Sequence, residues 1–379
     1  MAELHLHSAF PAELVDDIID HLWNDPKALA ACSLVCKTWL GRSYYHRFQR
    51  LSVSAANSRH LVLLGHSDIM PHVRMMMITG DLHKAEMPPA LSILRANSAP
   101  RTLILESVDM TENIPKLINL LPIATVKTLR LSNCCLNQST AIQDFVSALP
   151  DLNRLILHFS KMVRAHTAPV DFSVCQVPPL LSTIEISSHN VAPYLEPLAM
   201  VASKLKLHTL NFGVLHIDDA HQASEITAAS PSLRDLTITL AFLPKSMFLY
   251  SGSERKEKNL TFLPLYAVIP SIGLHTLVNL RSLHFIILPP DLVMINMFIT
   301  DLLWNLPSIH LEAITLKFLP IFDTVERCVV KPSKPPPCLP QLKKLCISFN
   351  FDNLEEHSWV GEMLRRQFSP YNKCGVLMI

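Results

Sequence analysis

Glycine is scarce in this sequence, with only 8 among 379 residues. None of the eight falls in the spacing of a phosphate-binding loop or a dinucleotide-binding turn, which excludes the usual glycine-built cradles for nucleotides. The sequence also lacks a His-Glu-x-x-His pair, a Cys-x-x-Cys pair and a Gly-x-Ser-x-Gly elbow. No motif therefore proposes a catalytic residue, a metal ligand or a cofactor site, and we expect none of the three.

An excess of charge of either sign is missing as well. Lys and Arg number 33 and Asp and Glu number 32, for a net charge of +1. Without a positive field the chain has little to attract a phosphate backbone or an anionic lipid surface, so we expect neither nucleic acid nor membrane as a partner. Apolar runs are short: residues 260–274 are interrupted by Pro264 and Pro270, and a membrane helix needs about 20 apolar residues.

The nine cysteines are odd in number, scattered and set in apolar runs. This usage predicts buried free thiols in a reducing compartment, and the start of the chain has no basic patch before an apolar core, so we expect a cytoplasmic or nuclear protein without a signal peptide. Cys32 and Cys36 could instead share a metal, as could His5 and His7. Structural zinc normally takes four ligands, which favours the thiol interpretation.

A pattern of apolar-x-x-apolar-x-apolar recurs from residue 48 to residue 347. Successive copies lie 25 to 31 residues apart, except for one step of 47. The central residues of the copies are Leu51, Met76, Leu103, Leu129, Leu155, Ile184, Leu210, Leu236, Leu283, Ile314 and Leu345. This period and pattern resemble leucine-rich repeats, which implies one short strand per copy, a parallel sheet on the concave face of a horseshoe-shaped α/β solenoid, and a helix or turn that returns the chain.

Proline punctuates the array and predicts where the returning helices end. Pro150, Pro179, Pro231 and Pro340 each stand two residues before the first apolar position of a copy, and the residue before proline disfavours helix. The helices that this implies include residues 140–149 and 218–229. Residues 242–270, inside the long step, are predicted as a surface insertion. Residues 331–337 are predicted as a stiff proline-rich spur, which could also bind a proline-reading domain.

The residues between the patterned positions are expected to face solvent on the sheet, which is the surface that such repeats use for binding. These positions predict a target-binding face whose first candidates are Arg130, Arg154, His158, Glu185, Asn211 and His284. An ordinary solvated sheet surface is the alternative for any one of them, because few residues of an interface carry its energy.

Near the start, two apolar stripes share one predicted helix. Pro11 suits a first helical turn, and Leu14, Ile18 and Leu22 recur at steps of four. Val15 and Ile19 widen the apolar face beyond what one packed neighbour requires, which suggests a partner. Asp25 followed by Pro26 predicts the N-cap of a second helix that carries Leu29, Cys32, Val35 and Cys36, and Trp39 follows as an anchor.

The residues from Phe10 to Leu22 and from Leu34 to Trp39 resemble the F-box, with Phe10 in place of the usual Leu. The resemblance covers residues 9–48, after a flexible start at 1–8, and leaves 49–379 to the repeats. It is a resemblance to fungal-type F-box proteins with irregular leucine-rich repeats. It implies a substrate-recognition subunit of a ubiquitin ligase that docks the Skp adaptor, and through it a cullin, and binds a target protein. The implied adaptor contacts are Phe10, Pro11, Leu14, Ile18, Leu22, Leu34, Val35 and Trp39.

Three alternatives stay open from the sequence. The segment 9–48 can be an ordinary helical hairpin whose apolar stripes are satisfied within the chain. The chain can bind the Skp adaptor as a scaffold that never joins a cullin complex. It can also be an enzyme whose site is assembled in space, for which a deep pocket with convergent polar groups would be the indication.

Overall fold

The structure is a computed structural model that describes fifteen stretches of the chain. They are residues 11–59, 70–80, 87–110, 118–134, 145–159, 178–188, 195, 198–199, 202–216, 220–241, 272–288, 292–306, 310–319, 339–349 and 358–379. The chain divides into two compact units. The first comprises residues 1–152 with 161–167, and the second comprises residues 153–160 with 168–379.

The first unit opens with three helices. They are α1 (Ala12–His21), α2 (Pro26–Cys32) and α3 (Lys37–Phe48). Pro11 stands at the N-cap of α1, where its missing amide hydrogen leaves no bond unmade. Asp25 caps α2 as predicted, because its carboxylate accepts hydrogen bonds from the amides of Lys27 and Ala28, both at 3.0 Å. Both α1 and α2 pack against α3.

Four parallel strands follow in the same unit. They are β1 (Arg50–Ser54), β2 (Met75–Thr79), β3 (Thr102–Glu106) and β4 (Thr128–Ser132), and α4 (Met87–Asn97) lies between β2 and β3. The strands pair in chain order, with Leu51 opposite Met76, Met76 opposite Leu103 and Leu103 opposite Leu129. The central residues of the first four sequence copies therefore stand side by side in one register.

The second unit repeats this arrangement. Its strands are β5 (Arg154–Phe159), β6 (Thr183–Ser188), β7 (Thr209–His216), β8 (Asp235–Ala241), β9 (Ser282–Leu288), β10 (Ala313–Phe318), β11 (Lys344–Phe349) and β12 (Leu377–Met378). Its described helices are α5 (Ala220–Ala228), α6 (Leu292–Asn305), α7 (Ser358–Gln367) and α8 (Ser369–Lys373). All these strands are parallel and pair in chain order.

The predicted fold class is confirmed: the chain is an α/β, leucine-rich-repeat-like solenoid with parallel strands. All eleven copies of the pattern form strands, and inward residues such as Leu103, Leu236 and Ile314 are at most 1% exposed, while Leu155 is 3% exposed and Leu51 is half-buried. Removing these alternate side chains from water is the main favourable term that holds the strands together. The strand β12 was not predicted, because Leu377–Met378 carries too short a pattern.

Seven of the eleven copies enter their strand through the same backbone turn. The amide of the first apolar residue bonds back to the carbonyl three residues earlier, as in Leu152 to Leu149 at 3.1 Å and Leu233 to Ser230 at 3.1 Å. The next two amides then share one carbonyl of the preceding copy: Arg234 and Asp235 both donate to His208 at 2.9 Å. This turn provides hydrogen-bond partners for the backbone groups that enter the sheet and fixes the register of each strand against the preceding one.

Cys134 takes a position that links two copies in the first unit. Its buried thiol donates to the carbonyl of Leu105 at 3.3 Å. The preceding Asn133 has a φ of 54°, a left-handed conformation that asparagine adopts more readily than most residues. This is the one place where the sequence approaches the Asn-Cys ladder of regular leucine-rich repeats, and here the side chain makes the bond between copies.

The returning helices are confirmed in part. The helix predicted at 218–229 is α5, and its end at Ala228 precedes Pro231 as expected. Of the helix predicted at 140–149, only 145–149 is described, and helical turns occupy 145–147. Helices α4, α6, α7 and α8 were not predicted individually, because the argument from proline located where such helices end and not how long they are.

One prediction for the helical segment is wrong. The second helix ends at Cys32 and does not carry Val35 or Cys36. The amides of Leu34 and Val35 bond to carbonyls only three residues back, at 3.0 and 3.2 Å. Cys36 is then extended, with φ −162° and ψ 171°, and becomes the N-cap of α3. The shorter bonds tighten the last turn and the extended residue ends the helix.

The prediction of uniformly buried thiols is also wrong. Cys32 and Cys134 are buried, but Cys36 and Cys374 are exposed and Cys346 is half-buried. Cys36 is exposed because it belongs to the turn before α3, and Cys346 because it lies on the solvent side of β11. Ser132, one residue after the last patterned position of its copy, is buried, and the Arg130 Nε donates to its hydroxyl at 2.9 Å.

Some predictions concern residues outside the described part of the chain. These are the flexible start at 1–8, the adaptor contact Phe10, the insertion at 242–270 and the proline-rich spur at 331–337. The predicted ends of the two domains also stay predictions, although α3 ends at Phe48, the last residue of the predicted helical module.

Two glycines provide a matched test of this geometry. Gly273 has a φ of +71°, and a Cβ there would meet the Ser224 Cβ and the Thr227 hydroxyl at 3.1 Å. We expect Gly273→Ala to destabilise the second unit by about 1–3 kcal/mol. Gly41 lies inside α3 with nothing within 4 Å, so Gly41→Ala should stabilise by about 0.5–1 kcal/mol. Calorimetric melting of both variants measures the two shifts; equal signs would contradict the assigned backbone geometry.

Candidate interaction surfaces

The first candidate surface is on helix α1, where the residues of one apolar stripe are buried and two residues of the other are about half exposed. Val15 and Ile19 point inward and are 7% and 0% exposed, whereas Leu14 and Ile18 are 50% and 47% exposed. Residues four apart share one face of a helix, and neighbouring stripes are turned by about 100°. The folded chain therefore covers one stripe of α1 and leaves the other in water.

A small core explains why only one stripe is covered. Val15 and Ile19 form a buried cluster with Leu29 and Cys32 of α2, and Leu22 and Trp39 pack against this cluster while remaining partly exposed. Two of the predicted adaptor contacts, Leu22 and Trp39, therefore pack at the edge of the module's own core. The cluster buries the inner stripe, while of the outer stripe Leu22 packs against it and Leu14 and Ile18 stay about half exposed.

The remaining predicted contacts lie on the outside of the same module. Leu34 is 86% and Val35 is 60% exposed, in the turn between α2 and α3, and Pro11 is exposed at the start of α1. We call Pro11, Leu14, Ile18, Leu34 and Val35 the exposed apolar set. Ten large hydrophobic side chains are exposed among the described residues, and five of them, counting Trp23, lie between residues 14 and 35. Such a concentration of uncovered apolar side chains makes this set a candidate interaction site.

An ion-pair network fixes the helix that carries this set. Asp20 of α1 accepts a hydrogen bond from the Arg42 Nε at 2.6 Å and another from the His46 Nε2 at 2.7 Å. The Arg42 guanidinium makes a second contact with the same carboxylate, so the pair is bidentate. These bonds, the Arg42 bond first, lower the pKa of Asp20 from its ordinary 3.8 to about 2. The network ties α1 to α3 and was not foreseen from the sequence.

Asp20→Asn is expected to loosen the helical module by about 1 kcal/mol, a modest value because both partners are about a third exposed and water screens the pair. Since the folded-state pKa lies below the unfolded one, the contribution is complete above pH 3.8 and disappears as the pH falls towards 2. Denaturant unfolding of both proteins between pH 7 and pH 2 measures it. Asp17→Asn, on an exposed part of α1, is the control. A difference between wild type and Asp20→Asn that is the same at pH 2 and pH 7 would contradict the assignment.

The second candidate surface is the solvent side of the sheet in the second unit. One row of register runs through Glu185, Asn211, Thr237, His284 and Thr315 on five successive strands. All five side chains are partly exposed. The sheet therefore brings the predicted candidates Glu185, Asn211 and His284 into one polar row, although Glu185 and His284 are 99 residues apart in the sequence.

Charge on this surface is concentrated at its two ends. Arg154 of β5 forms an ion pair with Glu185 of β6. Burial first, and then the neighbouring Lys317, lowers the pKa of His284, so its imidazole is neutral near pH 7 and offers one donor and one acceptor. Lys317 itself was not among the predicted candidates; its position two residues after Thr315 in an alternating strand is the signal that identifies it.

The other two predicted candidates stand apart from this row. His158 is exposed on β5, opposite Ser187 of β6. Arg130 belongs to the first unit, on β4, where its guanidinium is engaged with Ser132. The structure thus groups four of the six candidates, Arg154, Glu185, Asn211 and His284, and leaves these two as separate positions.

No group of three or more His, Cys, Asp or Glu side chains among the residues that the structure describes is placed to hold a metal ion. None of the helices in this described part is both long and apolar enough to cross a membrane.

No family model matches the chain, and no curated protein matches it. A solved structure, the crystal structure of a TLR13-ssRNA13 complex, is similar with a TM-score of 0.40 and 16% sequence identity. The similarity covers 81% of this chain and 41% of that chain, so this chain spans less than half of its length.

Proposed function

We propose that this chain is a non-catalytic substrate receptor of a Skp-cullin-F-box ubiquitin ligase. The helical module of α1 to α3 docks the Skp adaptor, and the solvent face of the repeat sheet holds a target protein. The repeat fold is one that serves protein interaction. The observation that carries the proposal is the exposed apolar set on a module whose residues match the F-box pattern in identity and spacing.

The proposed adaptor docking depends on the difference in exposure between the two apolar stripes of α1. A hairpin that only completed its own fold would bury Leu14 and Ile18 along with Val15 and Ile19, yet the first pair is about half exposed. Covering such side chains contributes about 1.5–3 kcal/mol each when burial is complete. Several of them together offset the cost of association, so a stable complex with an apolar groove on the adaptor is feasible.

The mechanism is proximity. A target held on the sheet face stays close to the ubiquitin-charged enzyme that the cullin carries, which converts a rare encounter into an effectively intramolecular transfer. The chain itself supplies binding and orientation, and the chemistry belongs to the other subunits. The ligase is proposed to act in the cytoplasm or nucleus, where the free thiols of this chain stay reduced.

Removal of the outer stripe tests adaptor docking. The double variant Leu14→Ala, Ile18→Ala should weaken adaptor binding at least about tenfold, because each truncation withdraws on the order of 1 kcal/mol of apolar burial. Alanine keeps the helix, and the inner stripe is untouched, so the melting curve should change little. Leu180→Ala removes a comparably exposed side chain of the second unit and is the matched control. Undiminished capture of purified Skp adaptor by the double variant would refute the docking assignment.

A scaffold that binds the adaptor without a cullin is the second candidate. Both candidates predict the same docking surface, so only the composition of the complex separates them. Co-purification of the cullin with the wild-type chain, lost together with the adaptor in the double variant, supports the ligase. Adaptor without cullin supports the scaffold.

The target face is tested by Asn211→Ala combined with His284→Ala. Both side chains lie in the same partly exposed row, and their removal should reduce the proteins captured by affinity purification under proteasome inhibition at least about tenfold if they anchor the target. Adaptor binding should be unchanged. His221→Ala on α5, whose side chain is 83% exposed, is the control. Equal recovery of every captured protein with both variants would remove this row from the target site.

A further inference from the structure

A column of basic side chains precedes the first strands of the repeat sheet. In the first unit, the residues immediately before β2, β3 and β4 are Arg74, Arg101 and Lys127. Backbone hydrogen bonds place them in one line. The main-chain amide of Arg74 donates to the Gln49 carbonyl at 2.9 Å, that of Arg101 to the Arg74 carbonyl at 2.8 Å, and that of Lys127 to the Arg101 carbonyl at 2.8 Å. Successive members therefore stand about 4.8 Å apart, the spacing of neighbouring strands.

A concave pocket lies beside the first part of this column. It has a volume of about 400 Å³. Three arginines, Arg50, Arg74 and Arg101, are among its lining residues, together with Tyr45 and Gln49 from the end of α3 and the next residue. Thr102 and Met75, the first residues of β3 and β2, complete the lining. Almost every polar group in this set is a hydrogen-bond donor, and none is a carboxylate.

Among the residues that the structure describes, no carboxylate neutralises the positive charge of the pocket. Among the described residues, no ion pair includes Arg50, Arg74 or Arg101. The Asp20 carboxylate of α1 is occupied by Arg42 and His46. In the second unit, by contrast, the corresponding position before β11 holds Lys343, which pairs with Glu312 at 2.7 Å.

Arg50 is also held in place before any ligand arrives. Its guanidinium lies over the ring of Trp23, 5.5 Å from the ring centroid, a cation–π contact that restricts a long side chain. Restriction before binding lowers the entropy that a ligand must offset. It also gives the pocket a natural reporter, because Trp23 is about half exposed and its fluorescence will respond when Arg50 moves or changes its partner.

We propose that this pocket is a binding site for a phosphate group. The planar guanidinium fork matches the oxygens of phosphate or carboxylate in pairs, and three such forks exceed what the two oxygens of one carboxylate can accept. A phosphate monoester, with three terminal oxygens and up to two negative charges, uses the donors and compensates the charge more completely. The site does not depend on the proposed function, since adaptor docking uses the exposed apolar set.

The test uses the full chain and three probes: O-phosphoserine, a short peptide containing one phosphoserine, and the same peptide with serine. Titration followed by calorimetry and by Trp23 fluorescence should show binding of the phosphorylated probes and not of the serine peptide. The double variant Arg74→Gln, Arg101→Gln should weaken that binding about tenfold for each arginine removed. Arg234→Gln, which changes the equivalent residue before β8 and lies outside the pocket, should leave it unchanged.

The outcomes separate the source of the phosphate as well as the site. Tighter binding of the phosphopeptide than of O-phosphoserine would assign the ligand to a modified protein, and equal binding would assign it to a small soluble ester; both support the pocket. Failure of both phosphorylated probes to bind at low salt would overturn the proposal. So would equal loss of binding in the Arg234→Gln variant, or full binding by the double variant with an unchanged melting curve.

Discussion

The constraint on which the rest depends is the parallel pairing of each strand with the strand of the preceding copy. In nine of the copies, two amides bond to one carbonyl of the copy before, and the inward side chains then pack in a fixed register. A shift of one residue would turn Leu236 and Ile238 to solvent and Thr237 to the interior. Because this arrangement cannot slip, every outward residue has a defined neighbour on the adjacent strand, which is what turns scattered residues into a surface.

The helical module differs from the repeats because its core is small. Four buried side chains, Val15, Ile19, Leu29 and Cys32, hold three helices together with help from the Asp20 network. A core of that size has capacity for one stripe of α1 and not for two. The uncovered stripe is therefore a consequence of how little the module encloses, and such a module gains stability from any partner that covers Leu14 and Ile18.

Much of the repeat fold was predictable because its cause is local and periodic. An apolar residue at every second position of a short segment, repeated every 25 to 31 residues, leaves few solutions other than stacked parallel strands. The end of α2 was not predictable in the same way, since apolar residues continue through Val35 while the backbone turns away at Cys36. The burial of Ser132 was not predictable either, because the sequence does not show that the long Arg130 side chain bonds to its hydroxyl.

The sequence by itself determined the strand positions, the apolar content of α1 and the presence of polar residues between the inward ones, because each depends on the order of neighbours along the chain. Only the tertiary structure decided which stripe of α1 stays in water, that Asp20 meets Arg42 and His46, and that Arg50, Arg74 and Arg101 share one pocket. Those three depend on residues that lie 10 to 51 positions apart in the sequence, and sequence spacing alone does not specify how side chains from different elements meet.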